Sequence, residues 1–288
     1  NSYQLNFTQE TDQLIISGEG LLAVRIGQTI DQSITGRVKV GQGEMPDESA
    51  LLIEQSMEVR IGDTAPVPAG TELEIRQGVV GEGEDSEFQI WVLPSLIIGP
   101  MNQLDTETEE TWLNVTENPE ILGGFEVLDL DTVTGWNMTQ YVTADTIQSV
   151  EEIPFEDLRP SELEELNESG LLTATNLRVF NITFDAEQMG QAFNLAELFN
   201  PDEVNVDVLL TEMLAGATIT HRVYIADLEE GQPIPYRIEA TIGIDTDLSE
   251  NITGAEAMSL EQTVNSITEL SAFNEEVVIR LPGYEFGS

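Results

Sequence analysis

Apolar and polar residues alternate along most of this chain. Tyr3, Leu5 and Phe7 are interleaved with Gln4, Asn6 and Thr8. Ile53, Gln55, Met57, Val59 and Ile61 are interleaved with Glu54, Ser56, Glu58 and Arg60. The same period recurs at Leu73 and Ile75, at Phe88, Ile90 and Val92, and through Tyr236, Ile238, Ala240, Ile242 and Ile244. Period 2 sends successive side chains to opposite faces, so each run predicts a strand with one apolar and one polar face. Such strands build antiparallel sheets that meet water on one side. The Gly-, Pro- and acid-rich stretches at 41–49, 62–70 and 81–86 are expected to be loops, and Glu230-Gly231 to turn a hairpin.

Helical spacing is rarer. Asp185 and Gln188 have the N-cap and N3 spacing of a capping box. Behind them Met189, Ala192, Phe193, Ala196 and Phe199 form one apolar stripe, which predicts a helix over 185–199 ended by Pro201. A shorter helix is expected from Ser161, with Glu164 three residues on, to Gly170; residues 203–214 fit strand or helix equally. No internal repeat interrupts the pattern. It predicts an α+β protein, mainly antiparallel β, in one domain over 1–288.

Charge then narrows the function classes. There are 54 acidic against 10 basic residues, for a net charge of -44. Nucleic-acid binding rests on Lys/Arg neutralisation of phosphates, so nucleic acid is not an expected partner. Diffuse cations are, because they relieve repulsion among the carboxylates. A membrane span needs about 18 or more apolar residues, and the run from Trp91 to Met101 is broken by Pro94, Ser95 and Pro100. No transmembrane segment is expected.

Candidate chemistry is sparse. His221 is the only histidine, there is no cysteine, and no Gly-x-Ser-x-Gly turn presents a nucleophile. One His without Cys cannot build the usual zinc sets. Asp129-x-Asp131 and Asp245-x-Asp247 open like calcium loops but lack the later glycine and glutamate. No cofactor, metal site or catalytic residue is expected, and the protein reads as non-enzymatic. Trp91, Trp112 and Trp136 are expected to pack in the core or a cavity. Six Asn-x-Ser/Thr sequons, at Asn6, Asn114, Asn137, Asn167, Asn181 and Asn251, are candidate glycosylation sites. They point to an extracellular or cell-surface protein.

The second half carries a resemblance. The runs 218–226 and 235–245, a long further strand, and the close Ala272-Phe273-Asn274-Glu275-Glu276-Val277-Val278-Ile279-Arg280-Leu281-Pro282 resemble the end of bacterial LppX/LprG-type lipoproteins, of the LolA-like superfamily. The opening Ser2-Tyr3-Gln4-Leu5-Asn6-Phe7 is similar to their first strand, and Thr183-Phe184-Asp185 before the capped helix fits their pattern. The resemblance covers about 1–20 and 110–288. It implies a curved half-barrel sheet with helices over its concave face, enclosing a cavity for acyl chains or lipoproteins. That family's lipidated cysteine has no counterpart here, and 20–110 is an enlarged, more acidic hairpin region. The expected function is therefore a carrier of an apolar, lipid-like ligand, with Met189, Phe193, Phe199, Ile238, Ile242 and Ile279 as candidate cavity lining. The alternative is a structural subunit of an extracellular filament or surface layer, binding copies of itself by strand exchange or sheet-edge contacts.

Overall fold

The computed structural model describes residues 2–17, 24–40, 48–80, 87–98, 112–114, 116, 143–168, 175–192, 217–227, 233–247 and 258–282. Among these residues eleven strands form one antiparallel sheet. They are β1 (Ser2–Ser17), β2 (Val24–Lys39), β3 (Glu48–Ile61), β4 (Val67–Val80), β5 (Glu87–Ile98) and β6 (Leu113–Asn114), then β7 (Ile147–Ile153), β8 (Thr175–Phe184), β9 (Thr218–Asp227), β10 (Pro233–Asp247) and β11 (Met258–Ser271). The spatial order is β6-β5-β4-β3-β2-β1-β11-β10-β9-β8-β7, an open sheet made of two meanders. They join where β1 pairs with β11, in register from Gln4↔Ser271 to Ser17↔Met258. The acidic stretch 20–110 supplies β2 to β5 and so belongs to this same sheet. The fold is mainly antiparallel β with short helices, as the alternation predicts.

Register sorts the side chains into rows. Leu5, Leu51, Ile75, Val92 and Leu270 share one row of the apolar face, all nearly fully buried, and Phe7, Ile34 and Ile53 share the next. Gly36 stands in the first row, where a Cβ would meet the Ala50 carbonyl oxygen at 2.6 Å. Apolar burial at about 25 cal/mol per Å² is the main favourable term here. Beyond β11 the chain turns at Ala272 and Asn274, whose φ angles are 53° and 59°. Asn274 N donates to the Ser2 carbonyl oxygen at 2.8 Å, and Phe273 packs on Tyr3 and Tyr236.

The helices are α1 (Pro160–Glu168) and α2 (Ala186–Ala192), with a 3-10 turn at Phe155–Asp157. They lie on opposite faces. Leu163 and Leu166 of α1 pack with Val179 and Tyr224 on the polar face, whereas Ala186 and Met189 of α2 pack with Phe184 and Ile219 on the apolar one. Three local expectations change, the first being the expected loop 41–49, whose Glu48 and Ser49 belong to β3. Helix α1 begins at Pro160, whose fixed φ suits the first helical position. The expected loop 62–70 is a turn only at its start: Pro68 and Gly70 belong to β4, Pro68 near a strand beginning where its missing N–H is tolerated. Residues 193–199, 203–214 and Glu230-Gly231 lie outside the described residues.

Candidate functional site

The expected cavity lining can be placed residue by residue. Helix α2 starts where predicted because Asp185 caps it, its Oδ1 accepting from Gln188 N at 3.0 Å. Met189, fully buried, packs with Phe184, Ala186 and Ile219, and Ile242 lies beside them. Ile238 shares the face, one row along β10 beyond Ala240. Ile279 does not join them. It is buried in the C-terminal segment and lines a groove on the polar face with Gln4, Arg37 and Ala50. Phe193 and Phe199 lie outside the described residues.

The apolar face is not uniform. Beyond the Phe7–Ile34–Ile53 row comes a row of amides, Gln9, Gln32 and Gln55 on β1, β2 and β3. Then follow Thr11, Ile30 and Met57 with Val264, Ile242, Ile219 and Phe184, and next another amide row of Gln262, Gln13 and Gln28. At the far end Ile15, Ile26 and Ile61 align. There the face opens to water: Val24, Ile26, Ile61 and Val67 are 51%, 36%, 54% and 68% exposed. Amide rows therefore alternate with apolar rows along this face.

His221 lies on this face, between Ala240 and Ile182 in the register. Its ring meets Phe184 edge-on at 4.7 Å between centroids, and its shielded Nε2 has no hydrogen-bond partner. Burial pushes its pKa down to about 4.

The polar face carries the charge. An open groove of about 820 Å³ is lined by Glu10, Asp31, Glu54 and Glu72, with Thr8 and Ser33 between them. Hydroxyls serve the carboxylates across strands: Thr29 Oγ1 donates to Asp12 at 2.9 Å, and Ser33 Oγ to Glu54 at 3.3 Å. Among the described residues no group of three or more acidic or imidazole side chains is placed to hold a metal ion. Asp245 is exposed on β10, and Asp129 and Asp131 lie outside the described residues. Trp91 is half-buried with Nε1 donating to Gln89 Oε1 at 3.2 Å, while the Trp112 ring lies under Arg76; Trp136 is outside the described residues. Of the sequons, Asn6 and Asn167 are exposed and Asn114 and Asn181 half-buried; Asn137 and Asn251 are outside the described residues.

Sequence reasoning missed the buried ionic cluster between α1 and the sheet. Glu162, 3% exposed, accepts from Arg222 Nη1 at 2.8 Å and Arg159 Nη2 at 3.0 Å. Beside it Arg237 is held by Glu239 and Glu269, both at 2.9 Å, and Glu239 accepts from the Tyr224 hydroxyl at 3.1 Å. Burial, with the Glu239 charge adding to it, raises Tyr224 above the usual phenol range. The Glu162 pairs fasten α1 to the sheet, while Arg222 Nε is buried without a hydrogen-bond partner. No helix among the described residues is long and apolar enough to cross a membrane.

Fold and faces together define a class: a large open antiparallel sheet with one apolar and one acidic face. Comparison with protein-family models and with curated proteins finds no match.

Proposed function

We propose that this chain is a secreted or cell-surface, non-enzymatic binding protein of the LolA-like kind, which holds an apolar, lipid-like ligand against its apolar face. The observation that carries this reading is that face itself: apolar rows across the sheet, Met189 of α2 seated on it, and an exposed apolar end at Val24, Ile26, Ile61 and Val67. The open antiparallel sheet with the capped α2 on its apolar face supports this reading, while α1, on the opposite face, departs from helices gathered over one face. The exposed sequons Asn6 and Asn167 suit an extracellular location. Solvent extraction of natively purified protein, analysed by mass spectrometry, should release acyl lipid near one per chain. The emptied protein should then bind the uncharged probe N-phenyl-1-naphthylamine saturably. No extracted lipid together with no saturable probe binding would sink the carrier reading.

One observation favours assembly as a second reading. Among the described residues β7 pairs only with β8, which leaves a seven-residue edge for another strand to join. Sedimentation separates the two readings, since a carrier remains monomeric and a structural subunit forms polymers.

A further inference from the structure

The polar face holds a second feature, at the end nearest the C-terminal segment, that does not depend on what the apolar face carries. Gln4, Arg37, Ala50 and Arg76 fall in one row across β1, β2, β3 and β4. With strands about 4.8 Å apart, the two arginines rise roughly 10 Å from each other with only a methyl group between them. The C-terminal segment walls this gap: Arg76 Nη1 donates to the Arg280 carbonyl oxygen at 3.0 Å. The resulting groove, of about 710 Å³, has Arg37, Arg76, Arg280, Gln4 and Asn6 among its lining.

Its charge is unusual for this molecule. Six of the ten basic side chains, Lys39, Arg76, Arg159, Arg178, Arg222 and Arg237, are in ion pairs. Among the described residues Arg37 and Arg280 are in none, nor does either side chain hydrogen-bond there. Glu74, the carboxylate of the groove wall, is already engaged by Arg76, whose Nε and Nη2 approach its Oε1 at 2.9 and 2.6 Å. The Arg76 guanidinium also stacks on Trp112, 4.8 Å from the ring centroid. Two arginines with no ion pair among the described residues therefore line a groove that has room for a small organic molecule.

We infer that this groove is a carboxylate-binding site, with Arg37 and Arg280 as the charged donors and the Gln4 amide as a neutral one. A guanidinium presents paired N–H groups that match the two oxygens of a carboxylate. A single carboxylate suits the site better than a polyanion, because each further negative charge adds repulsion from a chain of net charge -44. The carboxylate belongs to a free organic acid or to an acidic side chain of a peptide; the chemistry at the guanidiniums is the same.

An NMR titration of the full chain at physiological ionic strength, following arginine Nε–Hε signals, tests this. The probes are N-acetylglycine and the end-blocked peptide Ala-Ala-Glu-Ala-Ala, with its Gln counterpart as the uncharged control. At least one acid should bind saturably and the Gln peptide should not; which acid binds identifies the source. Arg37→Gln and Arg280→Gln should each weaken binding about tenfold, the effect of losing one charge-assisted hydrogen bond. Arg60→Gln makes the same charge change at an exposed position toward the other end of the polar face, and should leave affinity unchanged. Absence of saturation with both acids, or an equal loss in Arg60→Gln, would overturn the assignment.

Discussion

A lone histidine gives this protein a titration that can be read without interference from a second one. His221 sits among Ala240, Ile182 and Phe184, and burial holds its pKa down to about 4 against an ordinary 6.5. Above pH 6.5 the imidazole is neutral in both folded and unfolded chains, and the site makes no pH-dependent difference. As pH falls from 6.5 toward 4, the unfolded chain takes up the proton first, so this site lowers stability, by roughly 3 kcal/mol over the window. Below about 4 both states are protonated and the loss levels off. His221→Phe keeps an aromatic ring against Phe184 and removes the titration. Urea unfolding at pH 7 and pH 4.5 should show a smaller acid-induced loss in the variant than in the native chain. Carboxylates titrate in the same range, but they are common to both proteins and cancel in the difference. Parallel behaviour of the two would mean that the native imidazole is not shielded.

Between residue and sheet, α1 shows how one side chain fixes an element in two ways. Glu162 stands at N3, where its Oε2 accepts from the Arg159 backbone N–H at 2.6 Å, closing the helix start. Its Oε1 also takes Arg222 from β9, which pins the helix to the sheet. Burial by itself would raise the Glu162 carboxyl, but the Arg159 hydrogen bonds and the Arg222 charge together bring it below the usual range. Its stabilising effect is present above the unfolded carboxylate pKa and is lost as pH falls through the lowered folded value. Glu162→Gln should lower stability by about 1–3 kcal/mol at pH 7, since it leaves Arg222 without its carboxylate in a largely shielded place. Glu164→Gln, at an exposed position of the same helix, should cost little. Equal melting temperatures for the two variants would refute the clamp. The sequence made this helix legible but not its start. Ser161 and Glu164 satisfy the same spacing rule, and only the fixed φ of Pro160 and the distant Arg222 select Arg159 and Glu162 instead. Helix α2 was legible because Asp185 and Gln188 make a purely local cap.

At the scale of the molecule, alternation makes the strands and their faces legible, so Met189 and Ile242 could be matched from a helical stripe and a period-2 run. Strand order was not: no local signal says that β1 pairs with β11. Ile279 was misplaced for the same reason, since a segment beyond the sheet can cross either face, and its period does not say which. Arg37 and Arg280 likewise meet only through the folded chain. What register adds is the location of the repulsion that composition merely counts. Glu10 opposes Asp31, Glu54 opposes Glu72 and Asp245 opposes Glu261, each an exposed like-charge pair on adjacent strands. Such pairs are destabilising by up to about 1 kcal/mol each. Salt screens them, as the Debye length shrinks from about 10 Å at 0.1 M to about 3 Å at 1 M. The melting temperature should therefore rise by several degrees from 0.1 M to 1 M NaCl, given about 2–4 °C per kcal/mol for a chain somewhat smaller than this one. Glu54→Gln should recover part of that rise at low salt, because it relieves one rung directly. Melts that do not move between the two salt concentrations would rule out repulsion as a significant term, and an equal rise with micromolar calcium alone would replace diffuse screening by a specific cation site.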